Sequence, residues 1–411
     1  MFHILTWIQQ LYTFWTRKKR DMKHLPDDLM LAILIRLPAE ELVKCRRVCK
    51  NWLALISTPQ FIEKHFNLAS PILFVQYCPM DYYRERKKLK FYFLDEKLKE
   101  NTKKVNCNAL FHKASYRYPM LIDSCNGLLL FSDSDSNILV CNPVTKQVVT
   151  LRDPSDPFPD HHSWGKEIGI FFHSSTMEYR LLFARRVKGG DKEYFILTLG
   201  SKSWRRLGTI SRHSGYEKPF VVYDKFLHWV GRPNYPCKNS ILVFNMDTEE
   251  FKALPHPSFK CPCPWEMSEY CFQRMSLTKM EENGLSLCVS EFEHTNIISI
   301  WVLKDHGNWI WDRMYEVELD WDVKWRRNCF QCYEFPIIQG TIIKFGNIHK
   351  KELLLVTNTG QVFQYNIQTR SVREIQIRRS WTANLEAELV MRSYRESLVS
   401  LKDLYAHADQ R

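Results

Sequence analysis

A ten-residue pattern that recurs along most of the chain constrains the fold more than any other feature. A turn former is followed at +3 by a small polar residue, at +6 by a bulky side chain and at +9 by an aliphatic one. The copies are Asn142/Thr145/Val148/Leu151, Thr198/Ser201/Trp204/Leu207, Asn245/Thr248/Phe251/Leu254 and Asn366/Thr369/Val372/Ile375, with a looser Asp305/Asn308/Trp311/Met314. They follow short runs rich in Val, Ile, Leu, Phe and Tyr, such as Ile138–Cys141, Ile241–Phe244 and Ile297–Leu303. An Asn or Asp side chain can bond the backbone two residues further on and so open a turn, after which the +6 and +9 residues re-enter a sheet. Each copy is therefore expected to be a hairpin. The copies recur about every 56 residues, and a strand–turn–strand unit of that size cannot bury both faces, so it must stack on its neighbours as propeller blades do. The stretch from Pro71 to Leu404, roughly 330 residues, has room for about six blades. Two packed β-sandwiches with coincidental hairpins are the alternative the pattern leaves open.

The segment up to Phe66 obeys a helical period instead. Leu25 to Pro38 reads as one helix. Pro26 fits the first turn, where its missing N–H costs nothing, Asp27 and Asp28 suit the positive end of the dipole, and Pro38 disfavours continuation. Leu29, Ile33 and Leu37 form one apolar stripe, widened by Met30, Leu31 and Leu34. A second helical stretch places Leu42, Cys45, Val48, Cys49, Trp52, Leu53 and Ile56 at three- and four-residue steps. About forty residues cannot bury this much apolar surface alone.

The run LPDDLMLAILIRLPAEELVKCRRVCKNWLALIS resembles an F-box, whose landmarks stand here as Leu25-Pro26, Leu37-Pro38 and Val48-Cys49-Lys50-Asn51-Trp52. The resemblance implies binding to the Skp adaptor of cullin–RING ubiquitin ligases. The contact positions it carries over are Leu25, Pro26, Leu29, Ile33, Leu37, Pro38, Leu42, Cys45, Val48, Cys49 and Trp52, some of which could equally be core residues of a helical cap. The remainder is similar to the plant-type F-box-associated, kelch-like domain in four segments: SCNGLLLFSDSDSNILVCNPVTKQVVTL (124–151), FVVYDKFLHWVGR (220–232), IISIWVLKDHGNWIW (297–311) and YRESLVSL (394–401). The expected fold is mainly β with a small N-terminal α module, a helical F-box followed by a kelch-like β-propeller of about six blades. The expected domains are an N-terminal arm (1–23), the F-box (24–68) and the propeller (70–405). The implied function is that of a substrate-recognition subunit in an SCF-type ubiquitin ligase, with a propeller-fold enzyme or a non-ligase scaffold as the alternative.

Chemistry-bearing patterns are sparse. Gly-rich phosphate loops, nucleophile elbows and zinc-hydrolase helices are absent from the sequence, so no catalytic residues and no cofactor are expected. Asp133-x-Asp135-x-Asn137 imitates the start of a calcium loop, but Ile138 stands where the required Gly would be, and a hairpin tip is expected. Cys261, Cys263 and Cys271, or Cys329 and Cys332 with Cys237 and His228, lack finger spacing; no metal is expected there. The formal charge of +12 is concentrated in the first 105 residues, which carry 20 basic and 11 acidic side chains, and nucleic acid is not an expected partner. Arg84-x-Arg86-Lys87-Lys88 is read as a solvated edge or linker.

Phe2–Trp15 is the longest nearly uncharged apolar stretch, shorter than the roughly 20 residues a membrane span needs. With Ile4, Ile8, Leu11 and Trp15 on one face and Arg17-Lys18-Lys19-Arg20 behind, it suits either a membrane interface or a packing arm. Thirteen cysteines, an odd number, without a secretory pattern fit a reducing compartment, so nucleus or cytoplasm is expected. Connections too long for ordinary hairpins run over Asp153–Gly165, Ser211–Pro219, Pro255–Cys271 and Trp321–Phe335. They carry Phe158, Trp164, Tyr216, Trp265, Tyr270, Trp321, Trp325, Arg326 and Arg327, residue types that dominate interface hot spots, and are expected to hold a target protein.

Overall fold

The computed structural model describes residues 27–79, 90–94, 100–101, 119–133, 137–154, 167–187, 191–210, 220–231, 240–257, 275–280, 284–290, 297–318, 352–356, 362–366, 368–375 and 387–406. The chain divides into two compact units, residues 1–68 and 69–411.

In the first unit four helices are described: α1 (Asp27–Leu34), α2 (Ala39–Cys45), α3 (Lys50–Ile56) and α4 (Pro59–Leu68). The first expected helix is shorter than the sequence suggested. After Leu34 the bonds tighten to i→i+3, with Arg36 N–H donating to Ile33 and Leu37 N–H to Leu34, and Pro38 then starts the next helix. The expected second helical stretch is two helices. Cys49 adopts an extended conformation (φ −158°) and its Sγ accepts the Trp52 N–H at 3.5 Å, capping α3 and ending the preceding turn. Thr58 caps α4 in the same way, its Oγ1 accepting the Phe61 N–H at 3.3 Å. Leu34, Ala39, Leu42, Cys45, Ile56 and Phe61 form the buried interior.

In the second unit six antiparallel sheets are present among the described residues. The first joins β1 (Ile72–Pro79), β2 (Lys90–Leu94) and β3 (Glu100–Asn101) to the last strand, β23 (Ala387–Tyr394), in the order β23-β1-β2-β3. The next four are meanders of consecutive strands. They are β4 (Met120–Cys125), β5 (Leu128–Ser132), β6 (Asn137–Asn142) and β7 (Gln147–Arg152); then β8 (Glu167–His173), β9 (Glu178–Arg186), β10 (Lys192–Thr198) and β11 (Arg205–Ile210). After these come β12 (Val221–Tyr223), β13 (Phe226–Val230), β14 (Ile241–Asn245) and β15 (Phe251–Leu254), and β16 (Met275–Met280), β17 (Gly284–Ser290), β18 (Ile297–Asp305) and β19 (Ile310–Glu318). The sixth holds β20 (Glu352–Val356), β21 (Val362–Asn366) and β22 (Ser371–Ile375).

The first five sheets pack face to face in chain order through successive apolar layers. Phe74, Phe91 and Phe93 of the first meet Leu129 and Phe131 of the second. Leu130 and Val140 meet Leu181, Phe183 and Leu197; Phe171 and Tyr194 meet Trp229 and Phe244; Val230 and Val243 meet Met275 and Leu287. Indole N–H groups staple neighbouring sheets at their rims, Trp204 to the Arg152 carbonyl (2.9 Å) and Trp309 to the Pro255 carbonyl (2.6 Å). Stacked four-stranded sheets of this kind form a propeller-like arrangement.

The recurring ten-residue pattern is the hairpin between the last two strands of a sheet. Asn142, Asn245 and Asn366 each accept, through Oδ1, the backbone N–H two residues on at 2.9 Å, and Asp305 accepts that of Asn308 at 3.0 Å. The +4 residue takes a left-handed conformation in all four, with φ between 52° and 58° at Lys146, Glu249, Trp309 and Arg370. The copy at Thr198 reaches the same result by different means: Gly200 takes φ 103° and Ser201 bonds the Thr198 carbonyl through both its N–H and its hydroxyl. Asp133 and Asn137 close the β5–β6 hairpin through two 2.8 Å bonds.

One expectation is overturned near the C-terminus. The sequence carries good helix formers between Thr382 and Met391 and offers Ser397–Leu401 as a candidate partner for a first strand near Pro71–Tyr77. Instead β23 occupies Ala387–Tyr394 and pairs along its whole length with β1, from Ile72↔Tyr394 to Pro79↔Ala387. Pairing with a distant strand outweighs local propensity. Asp123 sits where β4, β8 and β23 meet: its carboxylate accepts the N–H groups of Ser124 (2.8 Å) and Ile170 (3.2 Å), and Arg392 of β23 lies beside it while donating to the Ile122 carbonyl at 2.8 Å. Burial pushes the Asp123 carboxyl up to about 6 despite that guanidinium.

Ser397–Leu401 serves a different purpose. After β23 the chain runs beneath the second sheet, where Asn142 Nδ2 donates to the carbonyls of Ser397 (3.0 Å) and Val399 (2.8 Å) and Gln147 Oε1 accepts the Leu401 N–H at 2.6 Å. Helix α5 (Leu401–Ala406) follows, with Leu401 buried between the second and third sheets. Gly127 makes the crossing possible: at φ 81° it lies so close to the tail that a Cβ would stand 2.2 Å from the Ser397 Cβ and 2.9 Å from the Arg395 carbonyl. Gly127→Ala should therefore destabilise the second unit by roughly 2–4 kcal/mol in denaturant unfolding, through combined left-handed strain and displacement of the tail. Unchanged unfolding would show that the tail does not press on this turn.

Candidate functional site

The first unit carries an apolar surface that its own core leaves uncovered. α1 turns Leu34 inward and leaves Leu29 and Ile33, one helical turn apart, 53% and 37% exposed. Val48, in the turn before α3, and Leu53 on α3 are also exposed, the latter by 46%. Single exposed apolar residues are ordinary, but four large ones on about thirty residues of helix are a concentration that points to a partner surface.

Each of these positions is set by local structure. The Pro38 carbonyl accepts the N–H groups of Glu41 (3.0 Å) and Leu42 (3.1 Å), which starts α2 immediately after the Leu37-Pro38 corner. Glu40 and Glu41 occupy its positive end, and Lys44 pairs with Glu41 at 2.8 Å on the outer side. The inner side, Ala39, Leu42 and Cys45, is buried.

The contact positions expected from the sequence separate accordingly. Leu29, Ile33, Pro38 and Val48 are exposed; Leu37, Cys49 and Trp52 are half-buried; Leu25 and Pro26 lie outside the described residues. Leu42 and Cys45 are interior side chains that shape the surface from below, the core alternative that the sequence left open for some of these positions. Burial pushes the Cys45 thiol up to about 11, so it behaves as a small neutral core residue. Leu53 was read as part of the stripe but not as a contact position, although its exposure matches that of Leu29. The expected target-binding residues Trp164, Tyr216, Trp265, Tyr270, Trp321, Trp325 and Arg326 all lie outside the described residues.

In the second unit a buried histidine pair lies at the joint between the fourth and fifth sheets. His228 Nε2 and His306 Nε2 stand 3.0 Å apart with their rings nearly perpendicular, enclosed by Tyr223, Phe226 and Trp309. One imidazole must donate and the other accept, so the two rings are not both protonated at this spacing. Burial, reinforced by His306, drives His228 down to about 3. No group of three or more His, Cys, Asp or Glu side chains is placed to hold a metal among the described residues. Nor is any described helix long and apolar enough to cross a membrane.

Comparison with known proteins agrees with this division. The profile of the F-box associated beta propeller domain matches residues 79–401, and an F-box-like profile matches residues 22–67. An F-box/LRR-repeat/kelch-repeat protein of Arabidopsis thaliana is 27% identical over 307 residues, spanning 72% of this chain and 77% of that protein. The F-box protein CPR1 of the same plant is 23% identical over 404 residues, spanning 90% and 89%. The chain belongs to the family of F-box proteins with an F-box associated β-propeller domain. That architecture is characteristic of non-catalytic adaptor proteins.

Two outcomes follow from the placement of these side chains. Leu42→Ala should cost about 2–5 kcal/mol of stability, whereas Leu29→Ser should change it by less than about 0.5 kcal/mol, as urea unfolding of the first unit would read. For His228 the folded value lies below the ordinary one near 6.5, so the unfolded chain takes up the proton first. Its contribution is complete above about pH 6.5 and is lost as pH falls towards 3. Thermal unfolding of His228→Phe should show a flatter acid limb than wild type between pH 6.5 and 4.

Proposed function

We propose that this protein is the substrate-recognition subunit of an SCF-type ubiquitin ligase. The observation that carries the reading is the exposed apolar set Leu29, Ile33, Val48 and Leu53 on a helical unit that matches the F-box-like profile. Docking of a Skp-type adaptor over these side chains, with Leu25, Pro26, Leu37, Pro38, Cys49 and Trp52 around them, would remove that surface from water. The adaptor links the chain to a cullin–RING ligase, and the chain contributes proximity: a tethered target presents its lysines at high effective concentration. The domains of this reading are an arm at 1–23, the F-box at 24–68 and a propeller at 70–405. The workplace is the cytoplasm or nucleus.

The second unit is a closed ring of six blades in this reading, with the β1–β23 pairing as its seam. Support comes from the chain-order packing of the sheets and from the return of the last strand to the first sheet. The target binds at the connections between sheets. A four-stranded meander starts and finishes at the same end of its sheet, so the connections 153–166, 211–219 and 255–274, together with the chain leaving β19, all depart from that end. Loops gathered on a rigid scaffold are where binding residues concentrate, and Trp164, Tyr216, Trp265, Tyr270, Trp321, Trp325 and Arg326 belong to these stretches.

Co-expression with a plant Skp-type adaptor tests the first part. A stable complex is expected, weakened by Leu25→Ala combined with Pro26→Ala while the β-rich unit keeps its melting temperature. An intact, folded protein that binds no such adaptor refutes the reading. Proximity labelling followed by replacement of the four connections with short turns tests the second, and target capture that survives all four replacements places the target elsewhere. Capture that collapses with salt and with nuclease would reveal a nucleic-acid bridge instead.

A further inference from the structure

The corner between α1 and α2 is held from outside by a residue the F-box landmarks do not include. His65, near the end of α4, lies 28 residues beyond Leu37 yet places Nε2 2.8 Å from the Leu37 carbonyl. The histidine is buried, with 5% of its surface exposed, and its ring stacks on Phe61 one turn earlier at 6.3 Å and an interplanar angle of 7°. A carbonyl can only accept, so Nε2 carries the proton and donates. The bond meets the chain at an informative point. Leu37 follows the tightened last turn of α1 and precedes Pro38, whose ring excludes continuation of the helix. Pro38 has no N–H of its own with which to brace the corner.

We propose that His65 is a positioning residue for the adaptor-docking surface. It fixes the angle at which α1, carrying Leu29 and Ile33, stands to the turn and helix that carry Val48 and Leu53. Docking on four separated apolar side chains requires them to be presented together, so a corner free to swing would have to be ordered at the moment of binding and would weaken the complex. The stacked Phe61 holds the imidazole in its rotamer, and helix α4 thereby acts on the surface without touching the partner. This inference rests on the adaptor reading above.

The test compares two substitutions of similar length and flexibility in the full-length protein, His65→Gln, which retains an N–H donor, and His65→Met, which has none. Affinity for a recombinant Skp-type adaptor is measured by titration calorimetry, with helix content followed by circular dichroism. His65→Met should weaken binding roughly tenfold while His65→Gln stays within about threefold of wild type. In the Leu29→Ala/Ile33→Ala background His65→Met should add little, because the helix it positions no longer carries its contacts. Equal affinities for the Gln and Met variants, whether both near wild type or both reduced, overturn the inference and leave the adaptor reading standing. Wild-type protein that fails to bind the adaptor removes that reading and this inference together.

Discussion

The antiparallel pairing of Ile72–Pro79 with Ala387–Tyr394 is the contact on which the second unit depends. Bringing strands more than 300 residues apart into register carries a loop-closure cost about 4 kcal/mol greater than that of a local hairpin. Backbone bonds along eight residue pairs oppose it, and so does the aromatic group they assemble: Phe74 and Phe93 at 5.1 Å, with Tyr394 5.3 Å from Phe93. The same strand brings Arg392 beside Asp123, at the meeting of three sheets. Without β23, β1 would become an edge, the aromatic layer would lose one wall, and the buried Asp123 carboxyl would lose the Arg392 guanidinium beside it.

Local chemistry was legible in the sequence and long-range pairing was not. The Asn-initiated hairpins follow from side-chain geometry confined to ten residues, and their Oδ1 bonds are those the spacing called for. The break at Arg46–Cys49 was hidden because three- and four-residue apolar steps continue across it; its signal is a sulfur cap, weaker than the Ser, Thr or Asp that usually marks such a start. Residues Ala387–Tyr394 could not be recognised as a strand from propensity, since what fixes them is a partner at the other end of the chain. The surplus of apolar residues in the first unit was visible from composition of the stripe alone. Its division into interior Leu42 and Cys45 and exposed Leu29, Ile33 and Leu53 required the helices to be oriented.

The two units solve burial differently. The sheets of the second hide their large side chains between layers, and the described fully buried positions include Phe74, Phe131, Phe171, Tyr194 and Phe244. The helices of the first bury Leu34, Ala39, Leu42, Cys45, Ile56 and Phe61 where they face inward, which leaves other leucines outside. A small helical unit with an incomplete cover is suited to association, while a stack of sheets with saturated interiors is suited to presenting loops from a fixed frame.

The position of β23 in the chain also matters during synthesis. The helices end at Leu68, whereas the strand that completes the first sheet begins at Ala387, so ribosomes add the intervening stretch over some tens of seconds. Throughout that interval β1 has left the ribosome with one flank unpaired, an edge open to other strands. A message truncated before Ala387 would yield the helices with their apolar surface intact but a first sheet without its closing strand. Such a product would keep an exposed apolar helical surface beside a first sheet that lacks one of its four strands.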